Sequence, residues 1–362
     1  MNIIQILNKD NLDFKDICTL LSLSNSSDIE LLRQKAENVL LDYVGNNVSI
    51  RGLIEFSNYC VCDCLYCGIR KSNLNVTRFR LSEEEVLSCV DWAIEKNIGS
   101  VVLQSGECRD KETIKYITQL IKLIKKRSIS TALPNGLGIT LSVGEQTFDT
   151  YKSFFDAGAH RYLLRIETTN QKLFSEIHPN YQLFSKRLEC LESIKKIGFQ
   201  LGTGVMIGLP NQTIEDLAND LLFFKELDVD MVGMGPFIPH NQTPFAKADI
   251  DKKTNFLLGL KMISVLRLLM KDINIASTTA LETLSPKGRM LGLMHGANVI
   301  MPQLTPVDYK NKYILYDDKP DIDEQKESIF GKLKINLNNI NRNISFNQWG
   351  DSLHFKNKNR KQ

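Results

Sequence analysis

Nothing in the 362-residue sequence is long and apolar enough to span a membrane. The most apolar helical stretch, 255–270, is interrupted by Lys261 and Arg267. No leader pattern of basic and then apolar residues opens the chain, whose first segment, MNIIQILNKDNLDFKD, carries acids early. No basic stretch is interleaved with aromatics and the formal net charge is only +3, so nucleic acid is not an expected partner. No internal repeat or low-complexity linker breaks the chain. These absences leave a globular protein with 43% hydrophobic residues, enough for one large core or two ordinary ones. The expected location is cytoplasmic, with no membrane partner.

Cysteine is sparse except in one place. Four of the eight cysteines fall between Cys60 and Cys67, while Cys18, Cys89, Cys108 and Cys190 stand alone. A disulfide framework does not cluster this way, and cytosolic thiols stay reduced. Such clustering points to a metal, and the isolated Cys89, Cys108 and Cys190 read as small buried hydrophobes.

Residues 1–47 read as a helical extension, with Asp28 as a candidate cap and Leu31, Leu32, Ala36, Val39, Leu40 and Tyr43 at helical spacing. From Val48 the texture alternates. Strand-like segments at 48–56, 100–104, 137–141, 161–165, 202–207, 231–234, 273–277 and 298–301 are separated by amphipathic helical stretches. This order predicts an α/β fold, a complete (β/α)8 TIM-type barrel over 48–316, with a doubly wound open sheet as the alternative. The barrel is favoured because a polar or glycine-rich segment follows each strand, and in a barrel those loops converge on one face. Residues 317–362 form a C-terminal extension whose end, HFKNKNRKQ, reads as a polar, basic, solvated tail. Residues 127–138 read as a surface insertion, with a lid as the alternative.

Cys60, Cys64 and Cys67 have the spacing C-x3-C-x2-C within FSNYCVCDCLYCGIR. A closed zinc site requires a fourth ligand, usually from a second C-x2-C pair, and none exists. Ferredoxin clusters use four cysteines and a C-P signal, also absent. Three thiolates hold three irons of a cubane and leave the fourth iron open to a chelating ligand. This segment closely resembles the signature of the radical SAM superfamily. The resemblance implies one [4Fe–4S] cluster that passes an electron to S-adenosylmethionine (SAM) and releases a 5′-deoxyadenosyl radical. It also implies that Tyr66 packs near the adenine. Cys62, between the ligands, is expected to point away from them in a structural or incidental role.

The loops after the other strands supply candidate pocket residues. LQSGE (103–107) resembles the superfamily's GGE element, which contacts the SAM amino group. Strand alternation puts Arg165 and Glu167 on one side, either as a mutual salt bridge or as groups that bind SAM or a substrate carboxylate. Arg187 is a second carboxylate candidate. The glycine-rich 202–210 segment lacks the P-loop lysine, which suits close packing against a nucleoside.

The strings GLIEFSNYC, CLYCGIR, RYLLRIET, MIGLPNQT, DMVGMGPFIPH, ASTTALE and GANVIMPQLTP together resemble the HydE-type [FeFe]-hydrogenase maturases, relatives of biotin synthase and methylornithine synthase. The match runs from about Val48 to Tyr316. It implies action in H-cluster assembly on a small iron-bound cysteine complex, a reductant such as flavodoxin or ferredoxin, and other hydrogenase maturases as partners. Carried over residue by residue, it implies SAM contacts from Tyr66, Gln104, Ser105, Glu107, Arg165, Glu167, Arg187, Met231 and Met301. It implies substrate contacts from Thr140, Arg165, Thr278, Thr279 and Tyr309; Tyr313 and Tyr316 lie near Tyr309, and packing against the barrel is an equal alternative for them. Two departures stand out. No cysteine follows Cys190, so a single cluster is expected, and Ile166 stands where histidine is common. The rival readings are a related radical SAM enzyme acting on a free amino acid, and a non-catalytic iron–sulfur protein.

Overall fold

A computed structural model describes residues 3–359. Seven parallel strands form one curled sheet: β1 (Gly52–Ser57), β2 (Ser100–Ser105), β3 (Gly138–Ser142), β4 (Arg161–Leu163), β5 (Gln200–Thr203), β6 (Met231–Val232) and β7 (Asn274–Ile275), each beside its predecessor. The eighth place belongs to β8 (Val299–Ile300), which pairs with the Asn47–Ile50 strand just ahead of β1. Its links to the ends of the sheet are single bridges, Ala276 to Val299 and Leu53 to Gln303. The seam of the expected barrel is therefore short and irregular. Val, Ile and Leu such as Ile54, Val101, Leu103, Ile139, Leu141, Leu201 and Ile275 are buried in the strands, as a parallel sheet covered by helices requires. Polar residues such as Glu55, Thr140 and Arg161 are buried with them.

The helices between strands start where the sequence supplies caps. Ser82, Asp110, Thr147 and Thr213 each accept a hydrogen bond from a backbone N–H of the first turn. In the N-terminal region Asn25 caps the Ser26–Tyr43 helix, while Asp28 sits inside its first turn. This corrects the expected cap by three residues. Leu32, Ala36, Val39 and Leu40 are buried, and Leu31 and Tyr43 stay exposed. The same core cluster takes Leu20, Leu32, Phe330 and Leu337, so both extensions share the apolar core of the strands.

The expected solvated tail is corrected by ion pairing. Leu353–Asn359 is a helix, residues 360–362 lying outside the described part. His354 bridges Asp228 and Asp272, and Lys358 reaches Asp228 and Asp230. Just ahead of it the chain seals the end of the sheet where the strands begin. Asp351 pairs with the fully buried Arg161 at 2.6 Å, and Trp349 Nε1 donates to Gly136 O at 2.7 Å. Residues 127–138 lie at this same end, tied down by Leu137 N donating to Ser128 Oγ. The surface-insertion reading fits that placement. The lid reading does not, because the strands' C-terminal ends face the other way.

Candidate active site

Beyond β1 the chain runs through an irregular loop that carries the cysteines, pinned from three sides. Val61 N donates to Glu107 O, Leu65 N to Ile177 O and Gly68 N to Leu315 O. Close approach demands glycine at 106, where a β-carbon would lie 2.3 Å from Tyr59 O and 2.7 Å from Cys60 Cβ.

Among the described residues no three His, Cys, Asp or Glu side chains close on one point as a single metal ion needs. The three thiols still act on one another. Burial first, and then the charges of Cys64 and Cys60, push the Cys67 thiol well up. Hydrogen bonding from Cys62 draws the Cys60 and Cys64 thiols down, aided at Cys64 by His178. Three free thiols on one short loop are the kind of donor set that an iron–sulfur cluster takes. The expected outward orientation of Cys62 is corrected. Gln182 Nε2 donates to its sulfur at 3.3 Å and turns it inward between Cys60 and Cys64. Those two neighbours push its own thiol up.

A cavity of about 320 Å³ opens at the C-terminal ends of the strands, the face where such barrels carry chemistry. Tyr66, Cys67, Gln104 and Ser105 line one side, Arg165 and Glu167 another, and Thr278, Thr279 and Met301 a third. Arg165 and Glu167 do share a side, with Nη2 and Oε2 3.0 Å apart, but β4 ends at Leu163 and Glu167 is left-handed, so the expected strand alternation is not what brings them together. The angle is poor, and Arg165 Nε, Arg165 Nη2 and Glu167 Oε2 are buried without a hydrogen-bond partner. Buried groups of this kind normally find partners. Glu167 also holds a left-handed backbone, φ 67°, which is costly for a residue other than glycine. Unused hydrogen-bonding capacity in an ion pair, together with backbone strain, suits a place for a charged ligand, and SAM carries an ammonium, a carboxylate and a sulfonium.

The remaining expected residues separate. Glu107 stands behind the wall, accepting from Glu145 N at 2.7 Å, and burial pushes its carboxyl up. Arg187 is buried with Nε on Glu145 Oε1 at 2.7 Å and Nη1 on Arg165 O, so it braces the Arg165 backbone. Thr140 and Met231 lie deeper, towards the sealed end, the first accepting from Arg161 Nε and the second from Arg51 Nη1. Tyr309 is not brought to the cavity. Its hydroxyl donates to Glu85 Oε1 at 2.6 Å and its ring packs on Phe79, because its four-residue helix turns that side outward.

Tyr313 and Tyr316 line the cavity instead, which favours the site alternative over packing for these two. Sequence reasoning missed Glu55 and Lys319. Glu55 carried a signal, a lone acid in an otherwise apolar strand.

Residues 54–224 match the radical SAM superfamily. The [FeFe] hydrogenase maturase subunit HydE of Thermotoga maritima is 45% identical over 300 residues, 83% of this chain and 82% of that protein. The 3-methylornithine synthase of Methanosarcina acetivorans is 28% identical over 321 residues, 88% of this chain and 87% of the other. The crystal structure of methylornithine synthase (PylB) aligns with a TM-score of 0.79 at 26% identity, covering 95% of this chain and 97% of that one. A parallel α/β sheet, a three-cysteine loop and a cavity lined by an ion pair with unused hydrogen-bonding capacity thus define a radical SAM enzyme, one that uses a [4Fe–4S] cluster and SAM. Within that superfamily the chain belongs to the HydE-type [FeFe]-hydrogenase maturases.

Proposed function

We propose that Cys60, Cys64 and Cys67 hold the cluster, that SAM occupies the cavity beside them, and that the chain acts in [FeFe]-hydrogenase H-cluster assembly on a small iron-bound cysteine complex. The observation that carries the site assignment is the Arg165–Glu167 ion pair facing the cavity next to Cys67, whose buried Nε, Nη2 and Oε2 atoms make no hydrogen bond. The maturation role is supported by the 45% identity to the Thermotoga maritima protein. When bound, the cluster supplies the electron that splits SAM into methionine and a 5′-deoxyadenosyl radical.

The chain's own residues orient and exclude. Glu167 accepts from the SAM ammonium, Arg165 offers its free N–H groups to a carboxylate, and Tyr66 covers the adenine. Tyr66 is itself held by His178, 3.4 Å from its hydroxyl, and His178 Nδ1 is anchored at Phe174 O. Thr278 and Thr279 face the substrate end, and Met206, Phe237, Ile238 and Leu315 keep water away from it. The electron comes from a small reductant such as flavodoxin or ferredoxin, and other maturases deliver and receive the iron complex. No helix among the described residues is long and apolar enough to cross a membrane.

The test is anaerobic reconstitution followed by SAM and a reductant, which should yield 5′-deoxyadenosine. The same protein should restore hydrogenase activation to a maturation mixture lacking only this component. SAM cleavage without restoration would favour the second reading, action on a free amino acid, which the 0.79 TM-score to methylornithine synthase supports. Iron binding without SAM cleavage would leave a non-catalytic iron–sulfur protein.

A further inference from the structure

The cavity has a wall that does not come from the strand–helix repeat. After Tyr313 the chain turns back over the cavity mouth as a strap, and Leu315, Tyr316 and Lys319 line the same space as Tyr66 and Arg165. Lys319 enters deepest. Its Nζ donates to Glu55 Oε1 and Oε2 at 2.7 and 2.9 Å and to Tyr313 O at 3.0 Å. Both partners are nearly solvent-free, with 9% and 2% of their side-chain surface exposed. Glu55 is steadied from the other side by Gln303 Nε2 at 2.6 Å. Burial pushes the Glu55 carboxyl up, and Lys319 is the first group that acts against this.

The backbone around Lys319 is strained. Asp318 and Asp321 bracket Lys319–Pro320, and both are left-handed, with φ of 59° and 64°. The two ends of this segment are tied separately: Leu315 O accepts from Gly68 N, Asp317 N donates to Pro239 O while its Oδ2 accepts from Asn241 N, and Asp321 O accepts from Lys310 Nζ at 3.2 Å. Between them Asp318 makes only an exposed pair with Lys252 at 3.6 Å. A buried ammonium with three hydrogen bonds, set between two left-handed residues, ties the middle of this segment to the barrel wall.

We propose that the Lys319–Glu55 pair latches residues 315–322 across the cavity mouth, and that this strap is the gate through which SAM enters and leaves. The proposal rests on the reading of this cavity as the SAM site. Lys319 is a positioning residue here, acting through the strap.

The first measurement is hydrogen exchange of the full chain. In Lys319→Met and in the isosteric Glu55→Gln, amides 316–322 should exchange at least about tenfold faster. The helix Glu83–Glu95 serves as the control for an intact fold. The second is stopped-flow SAM binding to the anaerobically reconstituted protein. A gate predicts association and dissociation both faster by about tenfold, with the dissociation constant changed by less than about threefold. Loss of an ordinary binding contact would raise the dissociation constant instead. Unchanged exchange in both variants overturns the latch, and faster exchange with unchanged SAM kinetics overturns the gate. If the wild type takes up no SAM, the proposed function fails, and the exchange measurement still decides the latch.

Discussion

Arg165 Nη2 and Glu167 Oε2 lie 3.0 Å apart, both buried, and neither makes a hydrogen bond. Two opposite charges this close, held at a poor angle, are better explained by a third party than by each other. Each charged hydrogen bond to that party should contribute about 1.5–3 kcal/mol. Arg165→Lys and Glu167→Gln should therefore each weaken SAM binding by roughly 10- to 100-fold. Glu167→Gly separates function from folding. It releases the left-handed strain at φ 67°, worth about 1 kcal/mol or more, so the melting temperature should not fall although SAM binding does. Binding as tight as the wild type in all three variants would remove the pair from the site.

Cys62 and Cys64 differ in role despite lying two residues apart. Cys64 is one of the three thiols proposed to hold the cluster, whereas Cys62 lies between them and accepts from Gln182 Nε2. Cys64→Ala should lose most of the bound iron after reconstitution. Cys62→Ala should keep the wild-type iron content, with an altered cluster potential because thiolate hydrogen bonds tune it. Iron analysis and a redox titration decide this, and equal iron loss in both variants would make Cys62 a ligand.

Tyr309 and Tyr313 are four residues apart and face opposite ways. Tyr309→Phe removes one hydrogen bond to Glu85 at the surface, so it should cost about 1 kcal/mol at most and leave SAM binding intact. Tyr313 is buried in the cavity wall, with Gln104 Nε2 donating to its hydroxyl at 3.4 Å. Tyr313→Phe should disturb Gln104 and hence SAM or substrate binding. The opposite ranking in titrations would restore Tyr309 to the site.

These tyrosines also show where the sequence stops being readable. The cysteine loop was legible because its chemistry depends on spacing within eight residues, and the strand–helix alternation because side-chain period follows backbone geometry. Arg165 and Glu167 share a side as expected, but they do so beyond the end of β4 at Leu163, where alternation no longer applies. The four-residue turn around Tyr309 has no period to read, and β6 and β7 are only two residues long. Contacts between distant segments leave no local trace. Lys319 meets Glu55 across 264 positions and Asp351 meets Arg161 across 190, which is how a tail that reads as solvated becomes a wall and a plug. Cys62 failed for a related reason, since Gln182, which turns it inward, lies 120 residues away.

The plug at the sealed end should give stability a maximum near neutral pH. His354 hydrogen-bonds Asp272 at 2.9 Å and Asp228 at 2.6 Å, which hold its pKa above the usual 6.5. A base raised in this way contributes fully below pH 6.5, and the contribution disappears as pH rises through the raised value. Burial acts in the opposite direction on His160 and His295, pushing them down to about 3 and about 4. Their neutral forms favour the fold above pH 6.5, and that advantage is lost as the pH falls towards those values. Thermal melts of the metal-free chain should therefore drop on both sides. His354→Gln should flatten the alkaline limb, lower stability below pH 6.5 by on the order of 1 kcal/mol after solvent screening, and leave the acid limb in place. An alkaline limb that survives the substitution unchanged would mean that the C-terminal helix is held by Lys358 and its packing, and not by the histidine.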